Sequence, residues 1–137
     1  MKKLINTSFL YAILAMVGGV FYREFTKING FVGKTNLSVI HTHLFMLGMV
    51  FFLVVLLLAK QYKDIITHKR FKMFYYLYNG GLALTTLMFL FRGILQVLGN
   101  DISKGLNASI SGMAGIGHIV LSIGIIIFFT ILKQQEK

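Results

Sequence analysis

The chain has 137 residues, of which 56% are hydrophobic, and it carries a formal net charge of +10. A soluble domain of this length cannot bury so much apolar surface, and the long uncharged runs indicate an integral membrane protein. Nucleic acid is excluded as a partner, because the basic residues lie between the apolar runs, where membrane topology accounts for them.

Four apolar segments follow one another along the chain, at about residues 5–22, 37–59, 74–98 and 110–132. Each is close to the roughly 20 residues that a helix needs to cross a bilayer. The connections are short, so consecutive helices are expected to be antiparallel neighbours. The first segment is too long for the apolar region of a signal peptide, and we expect it to be retained. We predict one all-α domain over residues 1–137, an integral membrane four-helix bundle.

The basic residues predict the direction of the spans. Two precede the first span, five lie between the second and third, and two follow the fourth: Lys2, Lys3, Lys60, Lys63, Lys69, Arg70, Lys72, Lys133 and Lys137. The opposite side has only Arg23, Lys27, Lys34 and Lys104. Because cytoplasmic loops are enriched in lysine and arginine, both termini are expected in the cytoplasm. We therefore predict a multi-pass protein of the cytoplasmic membrane.

Polar residues inside the spans converge on the outer half of the bilayer. With a rise of about 1.5 Å per residue, His41 and His43 lie about 6 and 9 Å below the outer surface, and His118 about 12 Å. Arg92 lies about 9 Å and Gln96 about 3 Å below the same surface. Ionisable groups within spans are rare and usually functional, so this layer is predicted to be a binding site. The alternative is that the histidines only form hydrogen bonds between helices.

The sequence HTH at residues 41–43 separates its two imidazoles. On an α-helix, two residues that are two positions apart point about 200° away from each other. We expect Asn36 or Ser38 to cap this helix, which places His41 in regular turns. A compact three-histidine zinc or copper site is therefore disfavoured. The spacing favours one helix between two ligand sites, or one ligand with a supporting neighbour.

A heme suits this arrangement, because its iron takes axial imidazoles from helices on either side of the ring. The predicted metal ligands are His41, His43 and His118. The chain has no cysteine, so the heme would be held without thioether bonds, as heme b. Heme is favoured over copper. His68 lies in a basic loop and is not expected to be a ligand.

Further cofactor-binding residues are predicted around the ligands. Gly48 and Gly115 would leave room for the ring, and close helix packing is the alternative for each of them. Arg92 and Arg23 would pair with the heme propionates, and Gln96 is a weaker candidate for the same role. For the arginines, the alternative is that they extend to the membrane surface.

The stretch HTHLFMLGM at residues 41–49 resembles the histidine pair in subunit I of heme–copper oxidases and related nitric oxide reductases. In that family, the two histidines of such a pair face two different hemes. The chain also looks like a small family of bacterial four-helix membrane proteins, and its four spans resemble one arc of the oxidase core. The resemblance implies heme ligation by His41 or His43, with His118 as the opposing ligand. The second histidine pair of the oxidase copper site is missing, so no oxygen-reduction site is evident. Whether the protein catalyses any reaction stays an open question at this point.

These observations predict a membrane-embedded b-type heme protein with histidine axial ligands in the outer half of the bilayer. It would transfer electrons, with a quinol or another redox partner, or sense nitric oxide or oxygen. We expect a homo-oligomer in which hemes are shared between subunits. The analogy with the arcs of the oxidase core suggests a trimer, and a dimer is equally simple by symmetry. The alternatives are a histidine-based element for transition-metal or proton transport, and a structural membrane subunit.

Overall fold

The computed structural model describes residues 1–99 and 102–135, and every regular element in these two ranges is helical. Lys137, which contributed to the predicted charge asymmetry, lies outside them. In chain order the elements are α1 (Lys2–Ile28), α2 (Leu37–His43), a π-helix (Leu44–Val50), α3 (Phe51–Gln61), α4 (Asp64–Thr67), α5 (Phe71–Val97) and α6 (Lys104–Gln135). The prediction of an all-α fold is confirmed.

Four helices are long and apolar enough to cross a membrane: Lys2–Ile28, Leu37–Gln61, Phe71–Val97 and Lys104–Gln135. We call them the first to fourth spans; the second consists of α2, the π-helix and α3. The first and fourth run well beyond the predicted apolar segments. Their extra residues include lysines, an arginine and a glutamate, which continue a helix readily although they are not apolar.

The third and fourth spans form the closest helix pair, and glycines make this possible. Gly81 lies directly against the backbone of Leu121, and Gly117 against Thr85. A Cβ atom added to Gly124 would lie only 2.9 Å from the backbone nitrogen of Tyr78. Small residues at these positions let the two backbones approach, which is the usual way that helices pack in membranes.

An aromatic cluster joins the second, third and fourth spans. Phe51 stacks on Tyr78 with ring centres 4.2 Å apart, and Phe74 packs on Phe128 at 4.9 Å. Phe52, Phe74 and Tyr78 are fully buried. This core holds the second span against the pair formed by the third and fourth, and so fixes which of its faces the other spans meet.

The π-helix begins at Leu44, directly after His43, and was not predicted from the sequence. Its wider turn disturbs the regular hydrogen-bond ladder, and side chains of neighbouring spans bond two of its carbonyls. Ser8 donates to the Met49 carbonyl at 2.9 Å, and the Tyr78 hydroxyl donates to the Leu47 carbonyl at 2.7 Å. π-Helical segments are rare and are frequent at functional sites.

The third span caps the second span at its N-terminus. The Gln96 side chain accepts a hydrogen bond from the Asn36 backbone N–H at 2.8 Å, and Thr35 donates to the Gly93 carbonyl at 3.0 Å. The expectation that Asn36 or Ser38 caps this helix was wrong: Asn36 makes no side-chain cap, and Ser38 donates to the Thr35 carbonyl instead. The Leu37 N–H donates to the neighbouring Thr35 hydroxyl at 3.3 Å, so one capping group is local and the other, Gln96, lies in another span.

Candidate functional site

His43 and His118 are brought together from the second and fourth spans. Their ring centres are 6.5 Å apart and their planes are nearly perpendicular. Phe89 of the third span packs against both, at 5.1 Å from His43 and 5.9 Å from His118. His43 is half-buried and His118 is exposed, so the pair opens onto the outer surface of the bundle.

Both imidazoles are oriented by the same kind of hydrogen bond. The Nδ1 atom of His43 lies 2.8 Å from the Val39 carbonyl, and that of His118 lies 2.8 Å from the Ala114 carbonyl. A carbonyl oxygen only accepts, so Nδ1 carries the hydrogen in each ring. In the neutral imidazole the Nε2 lone pair is then left for a ligand, which is how metal-binding histidines are commonly held.

The separation of the two rings fits a shared metal ion. Two imidazoles on opposite sides of one ion have ring centres a little over about 6 Å apart, since metal–nitrogen bonds are about 2 Å long and the bonded nitrogen lies about 1.1 Å from its ring centre. The 6.5 Å between the ring centres of His43 and His118 is compatible with that separation. Within the described residues, no group of three or more histidine, cysteine, aspartate or glutamate side chains is placed to hold a metal.

Arg92 lies at the outer end of the same surface, one helical turn beyond Phe89. Its guanidinium donates to the Asn107 side-chain oxygen at 2.6 Å and to the Asn107 carbonyl at 3.1 Å. It also donates to the hydroxyl of Ser111, which lies two turns before His118 on the fourth span. These bonds hold the positive charge of Arg92 against the N-terminal part of the fourth span, and the propionate-binding role of Arg92 stays a prediction.

His41 faces a different neighbour. Its ring lies beside Gly19 of the first span, where an added Cβ would be 3.7 Å from the His41 Cβ. Its Nδ1 atom is buried and has no hydrogen-bond partner among the described residues. Leaving a buried polar atom unpaired costs about 1–3 kcal/mol, so this nitrogen calls for an explanation. His41 and His43 thus point to separate environments, as the 200° rotation predicts.

The other predicted site residues are distributed over several parts of the bundle. Gly115 lies on the surface one turn before His118, with open space above it, whereas Gly48 packs tightly against the ring of Tyr11. Gln96 is engaged in capping the second span. Arg23 is exposed at the end of the first span, 3.7 Å from Glu24, and such surface ion pairs contribute little.

His68 provides an internal contrast. Its Nδ1 atom accepts from the Arg70 backbone N–H at 3.1 Å, and its Nε2 atom lies 2.9 Å from the Gln134 side-chain oxygen. Because Nδ1 accepts, Nε2 carries the hydrogen and donates to Gln134. Both nitrogens are therefore used by the fold. His68 has the tautomer opposite to that of His43 and His118.

Sequence reasoning missed two features, one at the histidine pair and one in another helix interface. Phe89 was not among the predicted site residues, although its ring contacts both histidine rings. A second polar cluster was missed between the first and third spans, where the Tyr11 hydroxyl donates to Asn79 at 2.7 Å and Tyr75 meets Thr7 at 2.6 Å. The available signal was Asn79, an amide within an apolar segment.

Comparison with known proteins identifies a family whose function is unknown. The chain belongs to the DUF2871 family, described as proteins of unknown function, whose profile matches residues 1–135. No curated protein and no solved structure matches the chain. The match covers all four spans, so the histidine pair and the helices that carry it lie within the family domain.

Proposed function

We propose that this protein is a membrane-embedded b-type heme protein in which His43 and His118 are the axial ligands. The single observation that carries the proposal is the free Nε2 lone pair of two imidazoles whose ring centres are 6.5 Å apart. Three different spans meet at this point. A heme supplies the iron and its equatorial ligands, so two protein ligands complete the coordination.

The residues around the pair have distinct roles in this proposal. The Val39 and Ala114 carbonyls hold the imidazoles in the tautomer that leaves Nε2 for iron. Phe89 supplies an apolar wall between the site and the core. Arg92 supplies a positive charge for the propionates at the outer end. Heme contributes reversible one-electron chemistry when it is bound.

Two axial imidazoles favour electron transfer over gas sensing, because no coordination position stays open for a gas. A quinol or another redox partner is the proposed electron donor. We retain the predicted orientation, with both termini in the cytoplasm of a bacterial cell and the heme in the outer half of the bilayer. The resemblance of residues 41–49 to the oxidase histidine pair supports the same cofactor.

The protein is further proposed to be a homo-oligomer, a dimer or a trimer. His118, Ser111 and Asn107 are exposed on the fourth span of an isolated subunit. Placing such groups against lipid is unfavourable, so a heme together with a second copy is expected to cover them. Gly112 and Gly115 have open space above them on the same span, which permits a close helix contact. His41, which has a different neighbour from His43, is the proposed ligand for a second, shared heme.

A transport element is the weaker alternative. It requires polar groups in one continuous path across the membrane. The histidine pair lies between the second and fourth spans, whereas the Tyr11–Asn79 cluster lies between the first and third. Among the described residues, the two sets therefore do not lie in the same helix interface.

The visible absorption spectrum tests the heme proposal. The full chain is expressed with ample heme, purified in detergent and measured oxidised and reduced, beside a heme extraction that gives the heme-to-protein ratio. We expect a Soret band and sharp α and β bands on reduction. A colourless protein that is folded by circular dichroism would overturn the proposal.

Cysteine cross-linking tests the oligomer. Because the chain has no native cysteine, any disulfide between subunits must join the introduced residues. Gly115→Cys places a thiol on the proposed interface, and Gly80→Cys places one on an equally open glycine of the third span. In oxidised membranes we expect a disulfide-linked dimer from Gly115→Cys only. Equal cross-linking from both variants would show random collision and would count against this interface.

A further inference from the structure

A long groove runs between the first and third spans, with the second span as its floor. Its middle part has a volume of about 430 Å³ and is lined by residues 7–14 of the first span and 75–87 of the third. Its outer part has a volume of about 340 Å³. Both parts share Leu14, Leu44, Thr86 and Leu87, so they are continuous. The walls are predominantly apolar side chains.

The groove has a basic mouth. A cavity of about 470 Å³ at the end near the N-terminus is lined by Lys2, Lys3 and Asn6, and it shares Thr7, Leu10 and Tyr75 with the middle part of the groove. The Lys3 ammonium is held there, 3.9 Å from the centre of the Tyr75 ring. Two positive charges therefore stand where the groove reaches the membrane surface.

Polar groups lie between the mouth and the apolar remainder of the groove, which we call its trunk. The Thr7 hydroxyl donates to the Lys3 carbonyl at 2.9 Å, so the Tyr75 hydroxyl is the donor in its 2.6 Å contact with Thr7. One turn further in, Tyr11 donates to Asn79. From the surface inwards, the groove presents positive charge, then hydroxyl and amide groups, then hydrocarbon.

We propose that this groove binds an anionic glycerophospholipid. The phosphate lies between Lys2 and Lys3, the glycerol ester region lies beside Thr7 and Tyr75, and one acyl chain lies against the second span. Basic pockets between spans on the cytoplasmic side are suited to anionic headgroups. Residues 75–87 extend over about 18 Å, close to the roughly 15 Å of one leaflet. A neutral amphiphile would fill the trunk but would leave the two lysines without an anionic partner. The proposal is independent of heme.

Lipid binding can be measured on the full chain by native mass spectrometry, with phosphatidylglycerol as the anionic probe and phosphatidylcholine as the neutral one. Wild-type protein is expected to retain phosphatidylglycerol preferentially. Lys2→Gln with Lys3→Gln should weaken that binding about 10- to 30-fold, because each lysine near an anionic surface contributes about 1 kcal/mol. Lys133→Gln, at the end of the fourth span and away from the groove, is the matched control and should change nothing.

A second variant tests the trunk of the groove. Ala83 is exposed and lines the middle part, so Ala83→Phe should obstruct the acyl chain and reduce phosphatidylglycerol retention, with an unchanged circular dichroism spectrum. Ala108→Phe, at an exposed position of the fourth span, should leave retention unchanged. Equal retention of the two lipids by wild-type protein would overturn the proposal. So would full retention of phosphatidylglycerol by Ala83→Phe or by the double lysine variant.

Discussion

Two polar clusters inside the bundle differ in how their hydrogen bonds are used. Between the first and third spans, Tyr11 donates to Asn79 and Tyr75 donates to Thr7, so these groups satisfy one another. Between the second and fourth spans, His43 and His118 each use one ring nitrogen to orient the imidazole and leave the other available. The first cluster is typical of polar groups that hold helices together, and the second is typical of a ligand site. Substitutions of single residues in each cluster test this distinction.

The largest expected effect is the loss of heme from the ligand variants. His43→Ala or His118→Ala should lose most of the bound heme, because one imidazole is insufficient to hold a non-covalent ring in this site. His68→Ala is the control: both nitrogens of His68 are used by the Arg70 backbone N–H and Gln134, so heme content should be unchanged. The heme-to-protein ratio measures the effect. Equal heme in His118→Ala and wild-type protein would remove His118 from the site.

The next effect concerns the scaffold beneath the ligand site. Gly117→Leu should lower the free energy of unfolding in detergent by about 1–3 kcal/mol or more, because an added side chain collides with Thr85 and the third span backbone. Gly80→Leu, at a glycine of the third span with open space around it, should leave that free energy within about 0.5 kcal/mol of wild type. Similar destabilisation by both variants would contradict the assignment of Gly117 to the helix interface.

Removal of one hydroxyl from the structural cluster should have a smaller effect. Tyr11→Phe leaves the Asn79 oxygen without its donor and should lower the free energy of unfolding by about 1 kcal/mol. The visible spectrum should not change, since this cluster is separate from the heme. Tyr76→Phe alters an exposed ring and serves as the control in the same denaturation experiment. A changed Soret band in Tyr11→Phe would mean that the two clusters are coupled.

The smallest expected effect is on the heme potential. Arg92→Gln removes a positive charge on the third span. The loss of this charge should stabilise the oxidised form of the proposed heme and so lower its reduction potential. Arg23→Gln removes a charge that is exposed at the end of the first span and should leave the potential unchanged. Spectroelectrochemical titration of both variants gives the comparison. An equal shift in both would show that Arg92 has no special position relative to the heme.

The four spans could be predicted from the sequence, because length and hydropathy determine whether a helix can cross a bilayer. The opposite directions of His41 and His43 were also predictable, since rotation along a regular helix fixes them. The π-helix was not, because its carbonyls are bonded by Ser8 and Tyr78 from other spans. Local sequence carries no record of those bonds.

The composition of the candidate site was predictable only in part. The three histidines were found because imidazoles are conspicuous in apolar helices, but the pairing of His43 with His118 depends on how the second and fourth spans pack. Gly48 and Gln96 were expected beside a cofactor, whereas their neighbours are Tyr11 and the Asn36 backbone. Such partners lie far away in sequence, and only the packed bundle brings them together.

Rescue of a ligand variant by free imidazole tests the assignment of His118 as a heme ligand most directly. His118→Gly removes the side chain and leaves a gap for imidazole, and its reduced visible spectrum is recorded in the presence of added heme, with and without imidazole. We expect the α band to be weakened or absent in His118→Gly and restored to the wild-type position by imidazole. A spectrum identical to wild type before imidazole is added would contradict the assignment.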